Sequence, residues 1–161
     1  MQQPTWHINT HQQTWQVVWY AADAEPTGKA HGSAGICLTP EQHVIVVSQN
    51  GLDWDVPAGR SEIGESWDAT LRREVAEEAC ASVQSAELLG FCQSQCLTGV
   101  EQDLVLVRSF WLAQVQIQPW QPQFEIRQRR MIALAEIWDY LPPSFVPVYR
   151  HVLQVALLLR R

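Results

Sequence analysis

One stretch constrains this chain more than any other. Between residues 66 and 80, Trp67, Leu71, Val75 and Ala79 recur at every fourth position, and that period is the mark of an amphipathic helix. Ser66 is placed to cap it and Asp68 suits the positive end of its dipole. A helix with one apolar stripe must bury that stripe against a partner surface. The flanking sequence supplies strands for it. Runs over 15–22, 34–38 and 43–48 are rich in β-formers, and the last two are joined by the turn-like Thr39-Pro40-Glu41-Gln42. A short extended piece covers 54–57 and ends in proline. Further strands are predicted over 86–96, 104–116 and 128–133. A short helix over 135–141 is stopped by Pro142-Pro143, and a last helix runs over 145–159. This order predicts the α/β class, with a mixed sheet flanked by helices.

The same helix carries an unusual charge pattern. At about 100° per residue, Glu78 lies about 40° from Glu74, and Glu77 about 60° to the other side. Three carboxylates thus share one wedge, and Trp67 and Leu71 point into it. Carboxylates beside an apolar stripe are costly, and Glu74 and Glu78 repel at i, i+4. Two partners would compensate. A hard divalent cation prefers oxygen ligands, and Arg73 is placed to pair with Glu77 or Glu65. The alternative is a solvated acidic face with intrahelical ion pairs.

Composition limits the remaining choices. The chain has 161 residues, 47% of them hydrophobic and 17% charged, which suits one packed domain rather than disorder. We expect a flexible N-terminal arm over 1–13 and a single domain over 14–161. The net charge of -6 argues against nucleic-acid binding, which needs a basic surface. It leaves room for a small phosphorylated substrate, because a bound cation reverses the local sign. Cys37, Cys80, Cys92 and Cys96 form no CxxC pair and are expected as free thiols. Nothing resembles a signal peptide or a membrane span, so a cytoplasmic location with no membrane partner is expected.

The loop before the helix reads Pro57-Ala58-Gly59-Arg60-Ser61-Glu62-Ile63-Gly64-Glu65. Two glycines allow backbone conformations that other residues resist, and such a loop is able to aim carbonyls at a cation and amides at phosphate oxygens. Loop and helix together resemble the box of the Nudix hydrolase family, G-x5-E-x7-R-E-U-x-E-E-x-G-U, where U is apolar. Gly59 is followed after five residues by Glu65, and seven more lead to Arg73-Glu74-Val75, Ala76 and Glu77-Glu78. Every charged position of the box over 59–81 matches. The departure is Cys80 where the pattern has glycine, at the helix C-terminus.

That resemblance implies a Nudix-type α/β/α sandwich around a mixed β-sheet. It implies an enzyme that cleaves a diphosphate (pyrophosphate) linkage in a nucleoside diphosphate derivative or nucleoside triphosphate, with Mg²⁺ or Mn²⁺. By the same resemblance, Glu74, Glu77 and Glu78 are metal ligands, joined by a backbone carbonyl at Ala58 or Gly59. Glu65 and Arg73 form the ion pair that ties loop to helix. Glu74 and Glu77 are candidates for the catalytic carboxylate. Many relatives also use a glutamate beyond the second strand after the box, and Glu125 occupies the matching region. The other reading of Glu125 is a surface acid beside Arg127, Arg129 and Arg130, themselves read as solvated charge. A nucleotide-sensing Nudix-fold module without turnover is the alternative function. The substrate itself stays open: residues 82–108 contain no proline or tyrosine, the marks of two known subgroups. The resemblance allows a homodimer. Trp19, Tyr20, Trp54 and Trp111 are read as core rather than as stacking platforms for a substrate ring.

Overall fold

The computed structural model describes residues 2–160; Met1 and Arg161, the outer ends of the expected arm and domain, lie outside the described residues. Two strands open the chain, β1 (Thr5–Thr10) and β2 (Gln13–Ala21), followed by β3 (Lys29–Leu38) and β4 (Val44–Ser48). Short strands β5 (Trp54–Asp55) and β6 (Ala58–Gly59) lead to helix α1 (Trp67–Ala79). Two long strands come next, β7 (Ala81–Thr98) and β8 (Val105–Ile117), and then the short β9 (Gln128–Ile132). A 3-10 helix over Leu134–Asp139 and another over Pro143–Phe145 precede the last helix, α2 (Val146–Leu159).

The strands form one mixed sheet in the order β1-β2-β7-β8-β3-β4-β5, with β6 paired to β3 and β9 paired to β4. β3 and β8 run parallel, and the other pairs are antiparallel. The sequence shows why both faces are covered. In β4 the run Val44-Ile45-Val46-Val47 is apolar at every position, the pattern of a strand buried on both sides. Val44 and Val46 pack with Ala34, Phe110 and Val152 in the core beneath α2. Ile45 and Val47 point the other way and pack with Leu71, Val75 and Ala79 of α1. Two cores therefore lie on opposite faces of the sheet, one under each helix.

One expectation fails. Residues 1–13 are not a loose arm over their length, because Thr5–Thr10 is a strand paired in register with β2. Ile8 is buried, and Trp6 stacks on His151 of α2 at 5.6 Å. The hairpin turns on His11 and Gln12, both at positive φ (50° and 60°). Two-residue turns of that kind normally advertise themselves by Asn-Gly or a similar pair, and here that mark is absent.

Candidate active site

Ser66 starts α1 by accepting the Ala69 N–H at 3.1 Å, as an N-cap should. The loop before it is folded onto the helix by Arg73. Its Nε donates to Glu65 Oε2 at 2.7 Å and its Nη2 to Glu65 Oε1 at 2.9 Å, a bidentate pair. Nη2 also donates to the Arg60 carbonyl at 2.7 Å. Nη1 reaches Glu74 Oε1 at 2.7 Å and Glu77 Oε2 at 3.2 Å. Glu65 takes further support from the Glu62 N–H at 2.8 Å and lies 2.9 Å from the Thr70 hydroxyl. The Arg73 hydrogen bonds, followed by those from the backbone and Thr70, hold the Glu65 carboxyl down at about 2.

The other carboxylates sit in a tighter place. The Glu74 carboxyl lies so close to Gly59 that a Cβ there would overlap it, so that position admits only glycine without rearrangement. Glu78 turns toward the loop, and its Oε1 accepts the Ala58 N–H at 2.7 Å. Burial pushes the Glu78 carboxyl up to about 7; the charges of Glu74 and Asp55 push the same way, and the Ala58 N–H and Arg108 oppose them. Glu74 is also raised, first by burial, despite its bond to Arg73.

Among the described residues, no three His, Cys, Asp or Glu side chains converge closely enough to hold a metal ion as they stand. The bonding explains this: Arg73 holds Glu74 and Glu77, and the Ala58 amide holds Glu78. The donor chemistry nevertheless fits a hard divalent cation. Three carboxylates lie within about one helical turn, facing a loop of peptide oxygens, and two of them are already disfavoured as anions by burial. A side-chain rotation that frees Glu74 and Glu77 from Arg73 would open that set.

Glu125 stands apart. It is exposed on the turn before β9, and its bond is to Gln49 Nε2 at 3.3 Å. Among the described residues no hydrogen bond joins it to the box carboxylates. Its neighbour Ile126 is buried in the core beneath α1, which anchors that turn on the same side of the sheet.

Sequence reasoning missed three residues. Arg129 is not a solvated charge: its Nη1 donates to the carbonyls of Ala79, Cys80 and Gln118 at 2.8, 3.1 and 3.2 Å. It thus caps the C-terminus of α1, which has no basic residue in its last turn. Arg130 lies 4.6 Å over the ring of buried Trp54. Asp55 is the third. It accepts the Tyr149 hydroxyl at 2.6 Å and the Val56 N–H at 2.7 Å, and burial raises its carboxyl. An aspartate on a two-residue strand gave no signal of this. The aromatic residues read as core behave so in part: Trp19 and Trp54 are buried, and Trp111 donates to Ser109 Oγ at 2.8 Å.

Comparison with known proteins gives the class. The NUDIX domain model matches residues 29–155, most of the chain. The chain belongs to the Nudix hydrolase family. The fold agrees: a point mutant of the Bacillus subtilis pyrophosphohydrolase BsRppH is 19% identical, with 94% of this chain and 95% of that one covered and a TM-score of 0.68. A NUDIX hydrolase from Nitrosomonas europaea is 19% identical over 84% of this chain and 92% of that one, with a TM-score of 0.63. The NUDIX domain of Shewanella oneidensis NrtR, complexed with ADP ribose, is 18% identical over 86% and 94%, with a TM-score of 0.61. No curated protein sequence matches the chain. Among the described residues, no helix is long and apolar enough to cross a membrane.

Proposed function

We propose that this protein is a metal-dependent hydrolase that cleaves a diphosphate linkage in a nucleoside diphosphate derivative or nucleoside triphosphate, using Mg²⁺ or Mn²⁺. One observation carries the reading. A loop and a helix are locked together by the Glu65–Arg73 pair, and that lock packs Glu74 against Gly59 and Glu78 against the Ala58 amide. A purely structural helix has no reason to press carboxylates against backbone in this way.

The residues divide the work as follows. Glu74, Glu77 and Glu78, with the carbonyl of Ala58 or Gly59, would hold the cation. When bound, a divalent cation neutralises the diphosphate and lowers the pKa of a water. Arg73 ties the loop to the helix through Glu65 and bonds Glu74 and Glu77, so both carboxylates would have to turn from Arg73 to serve a cation. Glu74, Glu77 or Glu125 accepts the proton of the attacking water. Glu125 needs a movement of the Phe124–Glu125 turn to do so. The similar proteins, one named a pyrophosphohydrolase and one bound to ADP ribose, suit this substrate class.

The test is to incubate the protein with nucleoside triphosphates, nucleotide sugars and ADP-ribose in Mg²⁺, Mn²⁺ or EDTA and separate the products. Metal-dependent cleavage of one class is expected. Saturable nucleotide binding with no cleavage of any compound would assign the protein to the sensing modules instead.

A further inference from the structure

A cavity of about 310 Å³ opens on the sheet face that carries α2. Trp15, Phe110 and Phe145 give it flat apolar walls. Two of its lining groups are opposite charges, Asp55 and Arg108, and they form no ion pair with each other. Both hydrogen bonds to the Asp55 carboxylate, from Tyr149 and Val56, fall on Oδ1. Oδ2 therefore has no partner among the described residues. The Arg108 guanidinium likewise makes no hydrogen bond or ion pair to any described residue. Of the other ionisable groups in the wall, Glu101 is bonded to Gln13 at 3.1 Å. His31 is held down to about 4, by burial first and then by Arg108 and Arg60, so it is neutral at pH 7.

Neither group is sealed from solvent, so an acceptor and a donor fork without protein partners face the same cavity and are free to exchange water for a ligand. Apolar walls with a few convergent polar groups are the usual form of a small-molecule site. The cavity adjoins the carboxylate cluster: Asp55 lies three residues before Ala58, whose amide holds Glu78, and the charges of Asp55 and Arg108 both act on Glu78.

We infer that this cavity binds the base of a nucleoside substrate, with Asp55 Oδ2 accepting from its N–H groups and Arg108 donating to its ring acceptors. Every base carries a donor and an acceptor, but guanine meets each group with a pair of atoms. Its O6 and N7 form an acceptor pair matched to an arginine fork, and its N1–H and amino group form a donor edge for a carboxylate. Adenine has no N1–H and no O6. The orientation of the phosphates toward Glu74 and Glu78 rests on the hydrolase reading, but recognition of the base does not.

The substitution Asp55→Asn is informative because of where the existing bonds fall. Its amide oxygen keeps the Tyr149 and Val56 donors, and its amino group then faces the cavity, where it repels N–H donors. The experiment compares kcat/KM for guanosine, adenosine, cytidine and uridine triphosphates in wild type, Asp55→Asn and Arg108→Met. Calorimetric titration of guanosine and adenosine into the metal-free protein runs beside it. The expected result is a guanine preference over adenine of roughly tenfold or more, reduced about tenfold by either substitution. The same order is expected for the free nucleosides. Guanosine binding with that preference, but no cleavage of any triphosphate, would support the cavity and sink the hydrolase reading. Cleavage without base preference, or a guanine preference that both folded variants retain, would overturn the cavity proposal. Should Asp55→Asn fail to fold, Arg108→Met alone decides.

Discussion

Arg73 grips both oxygens of Glu65, with Nε 2.7 Å from Oε2 and Nη2 2.9 Å from Oε1. The pair joins a residue just outside α1 to one in its second turn, so it sets the position of the whole loop that faces Glu74 and Glu78. A lysine presents a point charge rather than a planar fork, and it cannot hold Glu65, Glu74 and the Arg60 carbonyl together. Arg73→Lys is therefore expected to lower kcat by about a hundredfold, the scale of a misplaced reacting group. Circular dichroism should remain that of the folded protein. Activity within twofold of wild type would show that the pair is dispensable.

Glu78→Gln removes a proposed cation ligand while keeping the shape and the contact with the Ala58 amide. Turnover is expected to fall about a hundredfold or more. Steady-state rates at saturating Mg²⁺ and Mn²⁺ check this, and near-wild-type turnover would overturn the assignment of Glu78.

The same residue sets a pH signature in metal-free protein. Burial raises the Glu78 carboxyl from 4.5 to about 7 in the folded state, so the folded state favours its protonated form. The stability this confers is fully present below pH 4.5 and is lost as pH rises through 7. In EDTA, wild type is expected to lose melting temperature between pH 5 and pH 8 more steeply than Glu78→Gln. Equal slopes in the two proteins would contradict the burial argument.

Cys80 ends α1 in the left-handed region, at φ 49° and ψ 54°, where the family pattern has glycine. Glycine adopts that conformation without the strain a Cβ brings. Cys80→Gly is expected to raise stability by about 1 kcal/mol and leave turnover within about twofold of wild type, since Cys80 touches no proposed ligand. A denaturant midpoint below that of wild type would assign Cys80 a packing role through its contact with the Gln121 carbonyl.

Arg129 closes the same helix end from a neighbouring strand. Arg129→Met keeps apolar bulk against Trp120 but removes the side-chain donor that three carbonyls share, of which that of Cys80 keeps the Gln118 N–H at 2.9 Å. A loss of about 1–3 kcal/mol is expected, with faster amide exchange in the last turn of α1. Unchanged exchange there would show that the cap contributes nothing.

Helix α1 and the loop before it were legible because their signal is local: a four-residue apolar period, a capping serine and glutamates at fixed spacing. Most strands of the mixed sheet were legible for the same reason, down to β9 over Gln128–Ile132, but Ala58–Gly59, read as loop, pairs with β3 as β6. β1 was not, because its hairpin turn uses His11 and Gln12 at positive φ in place of residues that announce such a turn. Asp55, Arg108 and Arg129 were not legible either. Each acquires its role from a partner far along the chain: Asp55 from Tyr149, Arg108 from the cavity wall, Arg129 from Ala79. No spacing in the sequence encodes those meetings. Arg73 was expected to pair with Glu65 or Glu77; it bonds to both and to Glu74 as well. That third bond helps explain why the carboxylates do not converge as they stand.

Whether Glu74, Glu77 and Glu78 serve a metal-dependent hydrolase is read most directly from turnover of one nucleoside triphosphate or diphosphate derivative while Mn²⁺ is titrated into metal-free protein, with EDTA added at the end. No turnover is expected without metal, then a rise that tracks metal binding and a return to zero with EDTA. Turnover that persists in EDTA, or saturable Mn²⁺ binding with no cleavage of any diphosphate compound, would contradict that role.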